Sequence, residues 1–141
     1  MNQLANVPEP GILLRILINN GLTANVRSFI QNHPGFDMNA PLPGADGNTP
    51  LTLAVILEDG SIVNTLLESP RVNVNTPRLP NGNTALMYAA FFGNNSIVNR
   101  LLNRQEIDLS LTNQAGQTAL DIAVEGGHEN IRSEEHTSEL Q

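Results

Sequence analysis

Apolar residues recur along this chain in short blocks that never lengthen into a long run. Ile62, Val63, Leu66 and Leu67 stand at i, i+1, i+4 and i+5, which is one face of a helix. Ile97, Val98, Leu101 and Leu102 repeat the same spacing. Each block follows another that opens on Gly and Thr: Gly47 leads into TPLTLAV, Gly82 into TALMYAA and Gly116 into TALDIAV. Thr caps a helix N-terminus, and Pro50 suits the first turn, where a missing N–H costs nothing. The small residues Ala54, Ala89, Ala90 and Ala123 let a neighbouring helix approach closely. Asp59-Gly60, Gly93-Asn94-Asn95 and Gly126-Gly127 break the pattern between the two blocks. The spacing therefore predicts pairs of short helices joined by tight turns. Polar, Pro- and Gly-rich segments connect one pair to the next.

The three glycines Gly47, Gly82 and Gly116 are 35 and 34 residues apart, so one unit recurs. Val72-Asn73-Val74-Asn75 falls on Ile107-Asp108-Leu109-Ser110 in the same register. Two short helices cannot bury an apolar face alone, so the units must stack. The TPLTLAV, TALMYAA and TALDIAV motifs, the two IV..LL segments and the VNVN and IDLS stretches resemble the ankyrin repeat. That resemblance implies an all-α solenoid of helix-turn-helix units with β-hairpin-like loops. The family motif often carries His at its fourth position. Thr52, Met87 and Asp121 stand there instead, which is expected to lose a local hydrogen-bond network without threatening the fold.

Upstream the pattern is looser. Ile12 to Ile18 reads as a first helix, and Val26, Phe29 and Ile30 match Val63, Leu66 and Leu67. Phe36-Asp37-Met38-Asn39 matches Val72-Asn73-Val74-Asn75. The expected organisation is a flexible arm over 1–9, a divergent N-terminal capping repeat over 10–46, repeats over 47–81 and 82–115, and a truncated repeat over 116–131. The stretch 132–141 resembles, codon for codon, a translated sequencing-library adapter and is set aside as non-native. The natural chain is accordingly expected to continue beyond Ile131, and the last unit to fray from residue 116 onward.

Composition narrows the chemistry. With 141 residues, 40% apolar and 4% aromatic, the chain is globular and builds its core from Leu, Ile, Val and Ala. Its lack of Cys excludes disulfides and thiolate zinc sites. All seven basic residues are Arg, which excludes Schiff-base lysines and a P-loop lysine. The formal charge of −7 argues against nucleic acid. Three Glu and one Arg in the set-aside tail supply two of those charges. The apolar run near the N-terminus carries Arg15 and is too short to span a bilayer. No membrane association is expected.

Candidate catalytic groups are few. His128 is read as a local packing residue and His33 as a ligand of the last carbonyls of a helix. Glu58-Asp59 and the i, i+4 pair Asp121 and Glu125 read as solvated faces rather than acid/base pairs. Asn94-Asn95-Ser96 matches a glycan acceptor only formally. No catalytic residue, cofactor or metal is expected.

The resemblance implies recognition of a protein through a concave helix face and through the hairpin tips. The candidate contact residues are Asp46 and Asn48, Asn81 and Asn83, and Asn113, Gln114 and Gln117 at the tips, with Phe91 and Phe92 at the end of a first helix. The tip amides offer donors and acceptors, although Asn and Asp also serve there as turn formers. An exposed aromatic is a natural anchor. Of the phenylalanines, one is expected to pack inward and the other to face the groove. The negative charge favours a partner with a basic patch. The chain is expected to act as a cytoplasmic, monomeric binding module or scaffold. The alternative is an N-terminal targeting module of a longer enzyme or of a bacterial effector delivered to a host cell. A small-molecule or nucleic-acid binder is the third and least favoured class.

Overall fold

A computed structural model describes residues 8–126. Among these residues seven helices follow one another: α1 Pro10–Asn19, α2 Thr23–Asn32, α3 Pro50–Ile56, α4 Gly60–Leu67, α5 Ala85–Phe92, α6 Asn95–Leu102 and α7 Ala119–Glu125. Among the described residues there is no strand. The fold is the all-helical stack expected from the repeating blocks. His128, Ile131, the tail 132–141 and most of the arm 1–9 lie outside the described residues.

The helix starts follow from the Gly-x-Thr signature. The Oγ1 atoms of Thr49, Thr84 and Thr118 accept the N–H groups of Thr52, Met87 and Asp121 at 3.2, 3.3 and 3.1 Å. The reverse contact is also made. The N–H of Thr49 donates to Thr52 Oγ1 at 2.8 Å and that of Thr118 to Asp121 Oδ2 at 3.0 Å. Met87 Sδ receives the Thr84 N–H at 3.4 Å. The expectation that the fourth motif position forfeits its local network is thus corrected. A hydroxyl, a thioether and a carboxylate each close a capping box from that place. The second helices start on Asp59 and Asn94, whose Oδ1 atoms each accept an N–H three residues on at 3.1 Å.

Helices α1, α3, α5 and α7 pack side by side as an inner row, and α2, α4 and α6 as an outer row. Ala54, Ala89 and Ala123, fully buried, line the inner row's contacts. The outer row buries Val26 and Phe29, Ile62, Val63 and Leu66, then Ile97, Val98 and Leu101. Each fully buried Leu or Ile contributes about 1.5–3 kcal/mol.

Polar side chains fasten each helix pair to the next. Asn39 donates from Nδ2 to Arg71 O at 2.9 Å and accepts from Asn73 N at 2.7 Å. Asn75, at the matching position, bonds Glu106 O and Asp108 N at 2.8 and 2.9 Å. Two arginines reach back the other way. Arg71 donates to the carbonyls of Ile30, His33 and Phe36 at 3.0, 2.8 and 2.8 Å. Arg104 donates to Leu67 O at 2.9 Å and Val72 O at 3.0 Å, and also holds Glu106. These carbonyls lie in or beyond the last turns of outer helices, where no intrahelical partner remains.

Candidate protein-recognition groove

Three hairpin-like fingers project beyond the starts of the inner helices. Their bases close through Leu42 N to Asn48 O at 2.8 Å, Arg78 N to Asn83 O at 2.8 Å and Asn113 N to Gln117 O at 3.0 Å. Neighbouring fingers are stitched as well. Leu79 N donates to Gly47 O at 3.3 Å and Gln114 N to Asn81 O at 2.9 Å. Gly47, at φ +86°, passes so close to the second finger that a Cβ there would lie 1.8 Å from Leu79 O.

Between the second and third fingers and the inner helices α5 and α7 runs a groove of about 480 Å³. Met87, Tyr88, Phe91 and Ile122 form its apolar floor, Asn83, Asn113 and Gln117 its amide wall, and Glu125 its end. The wall is a connected chain. Asn113 Nδ2 donates to Asn83 Oδ1 at 2.8 Å and to Gln117 Oε1 at 3.1 Å. Gln117 Nε2 then donates to Glu125 Oε1 at 2.8 Å. Tyr88 Oη receives Asn81 Nδ2 at 3.0 Å and Arg78 Nη1 at 3.5 Å. Such mutual bonds fix rotamers before any partner arrives, which lowers the ordering cost of binding.

The structure brings Asn83, Phe91, Asn113 and Gln117 together in this groove. Phe91 is 63% exposed, and its ring meets that of Phe92 edge-on at 5.3 Å. Phe92 is itself 37% exposed, so neither ring packs inward as a core residue would. Asn81 lies beside the groove, held to Tyr88 and bonding Asn83 N from Oδ1 at 3.0 Å. Asp46 and Gln114 are exposed on their fingers. Asn48 is 7% exposed, with Nδ2 on Ala45 O at 2.9 Å. It shapes its own turn, and its amide is not presented at a surface.

Met87, Tyr88, Ile122, Glu125 and Gly126 are the lining residues that sequence reading did not select for this surface. A usable signal exists. In the repeat register Tyr88 falls on Ile122 and Phe91 on Glu125. The column that carries Phe91 therefore points α7 at the same groove. The carboxylates read as solvated faces have local tasks: Asp121 and Asp59 cap helices, and Glu58 accepts from Asn94 Nδ2 at 3.1 Å. His33 behaves as expected at a helix end, with Nδ1 3.0 Å from Phe29 O and its ring stacked on Phe29 at 4.0 Å. Two carboxyls outside the groove sit below their ordinary values. Glu106 is lowered chiefly by the hydrogen bond from Arg104, and Asp108 by that from Ser110.

A family model of ankyrin repeats, three copies, matches residues 57–133. The chain belongs to the ankyrin repeat family. Ankyrin repeats are generally protein–protein interaction modules, and the fold is an interaction fold rather than a catalytic one. A comparison with curated proteins gives no match. Among the described residues, no helix of this ankyrin stack is long and apolar enough to cross a membrane. Nor do three His, Cys, Asp or Glu side chains gather among them as a metal site requires.

Proposed function

We propose that this ankyrin stack recognises a protein segment laid across its inner helices and fingers, with the groove beside α5 and α7 as the main contact. The observation that carries this reading is the groove itself. It joins an aromatic floor, with Phe91 63% exposed, to a wall of amides already locked by one another. Hot spots combine such anchors with desolvated surroundings. Phe91, Asn83, Asn113 and Gln117 are the contacts we assign, with Gln114, Phe92 and Asn81 beside them and Asp46 on the first finger. The stack acts as a monomeric scaffold with a divergent capping repeat over 10–46, repeats over 47–81 and 82–115 and a further one beginning at 116.

The test is a selection of random peptides on the full chain, followed by affinity measurement on variants. Phe91→Ala and Gln114→Ala should weaken the selected peptides. Asn64→Ala and Asn99→Ala, exposed on the outer helices, should leave them unchanged. The opposite pattern refutes the concave surface as the contact.

A further inference from the structure

The groove also indicates what kind of side chain it takes. Its end is a carboxylate, Glu125, which accepts from the neutral amide of Gln117. The ion pairs among the described residues, Arg27 with Glu68 and Arg104 with Glu106, lie elsewhere. Among the described residues the arginines are otherwise engaged. Arg71 and Arg104 serve backbone carbonyls, Arg15 donates to Pro43 O at 2.7 Å, Arg100 to Ser96 Oγ at 3.4 Å and Arg78 to Tyr88 Oη at 3.5 Å. The groove thus offers a negative charge at one end of a floor carrying two aromatic rings, Tyr88 and Phe91.

A neutral apolar side chain would satisfy the floor and leave the carboxylate without a counter-charge. An acidic one would be repelled. A guanidinium satisfies both parts. Its plane lies on an aromatic face, and its N–H fork reaches a carboxylate. Arg combines these two contacts better than Lys, whose ammonium is a compact and strongly hydrated charge. The formal charge of −7, of which the set-aside tail supplies two, draws a basic segment in the same direction.

We infer that the partner is a protein segment that places an arginine between the Tyr88 and Phe91 rings and the Glu125 carboxylate. This inference rests on the groove being the contact surface. A bound guanidinium would take the Glu125 oxygen that Gln117 does not use, so the amide wall need not rearrange.

The experiment selects random dodecapeptides against the full chain and then measures synthetic peptides on Glu125→Gln, Glu58→Gln, Phe91→Ala and Gln114→Ala. Glu125→Gln keeps an acceptor for Gln117 and removes only the charge. Selected peptides should share an arginine. Affinity should fall at least tenfold with Glu125→Gln, and equally when that arginine is replaced by citrulline. Replacement of that arginine by lysine should cost several-fold. Glu58→Gln, an exposed carboxylate outside the groove, should change nothing. Peptides that lose affinity with Phe91→Ala, yet lack a shared arginine or ignore Glu125→Gln, overturn this inference and leave the groove as the contact. Peptides indifferent to both Phe91→Ala and Gln114→Ala, or a failure to select any, count against the groove reading itself.

Discussion

Replacing Gly47 by Ala tests whether the fingers are one body. The added Cβ would lie 1.8 Å from Leu79 O and 2.9 Å from Leu79 C, both backbone atoms of the neighbouring finger. An ordinary carbon–oxygen contact is about 3.3 Å or more. The fingers must therefore part by roughly 1.5 Å, taking apart the 3.3 Å bond from Leu79 N to Gly47 O. That bond is worth about 1 kcal/mol. Holding Ala at φ +86° costs about 1–2 kcal/mol more. The expected loss is about 3 kcal/mol once the displaced contacts are included. Gly116 is the control, since its φ is +75° and nothing lies within 4 Å of its added Cβ. Gly116→Ala should cost only the torsional part, about 1–2 kcal/mol. The assay is urea unfolding followed by helical circular dichroism. With slopes of about 1–3 kcal/mol/M, Gly47→Ala should lower the midpoint by roughly 1–3 M. Equal losses for the two variants would refute close finger contact as the cause.

Glu58 occupies the left-handed region at φ 56°, where the next unit has Gly93 at φ 67°. Glu58→Gly should therefore raise stability by about 0.5–1 kcal/mol after loss of the exposed Asn94 contact. A thermal melt should shift upward by ~2–5 °C, and a downward shift would contradict the strain argument. Arg71→Met keeps the stem but removes the guanidinium bonds to the carbonyls of Ile30, His33 and Phe36, of which His33 O keeps the N–H of Phe36. The expected cost is about 2–3 kcal/mol, with faster amide exchange over 33–39. A loss below about 0.5 kcal/mol would mean that water replaces the guanidinium freely. Glu106 and Asp108 have folded-state pKa values lowered from 4.5 and 3.8. Their contribution is complete above those values and drains away as pH falls through the lower folded-state ones. Unfolding midpoints should thus fall with pH below about 4.5, and Glu106→Gln should flatten that dependence.

The helices were legible because their causes are local. Thr49, Thr84 and Thr118 cap within four residues, and Ile62 to Leu67 display their face within two turns. The role of Asn48 was not legible, because an Asn serves a surface contact and its own turn equally well. Only the path of the first finger, which closes Leu42 on Asn48, turns that amide inward. The fourth motif position was misread for a related reason. The capping box asks for an acceptor at the right reach, and Thr, Met and Asp each supply one. Contacts such as Arg71 to Ile30 O span 41 residues and leave no mark in the pattern. The groove sat between these cases: Phe91 stood out alone, whereas Glu125 gained meaning only beside it.

The paired amides of Asn39 and Asn75 give the stack a grammar at the level of the gene. Each asparagine grips backbone in the unit that follows it. A duplicated unit ending in Asn75 would carry its own coupling device wherever it was inserted. At the matching place the next unit has Ser110, whose Oγ donates to Asp108 Oδ1 at 2.6 Å and whose reach is shorter by an amide. Copies of that unit would couple less firmly to a successor. The units are therefore not interchangeable: a unit placed after Asn75 is held by two amide bonds that Ser110 does not offer its successor.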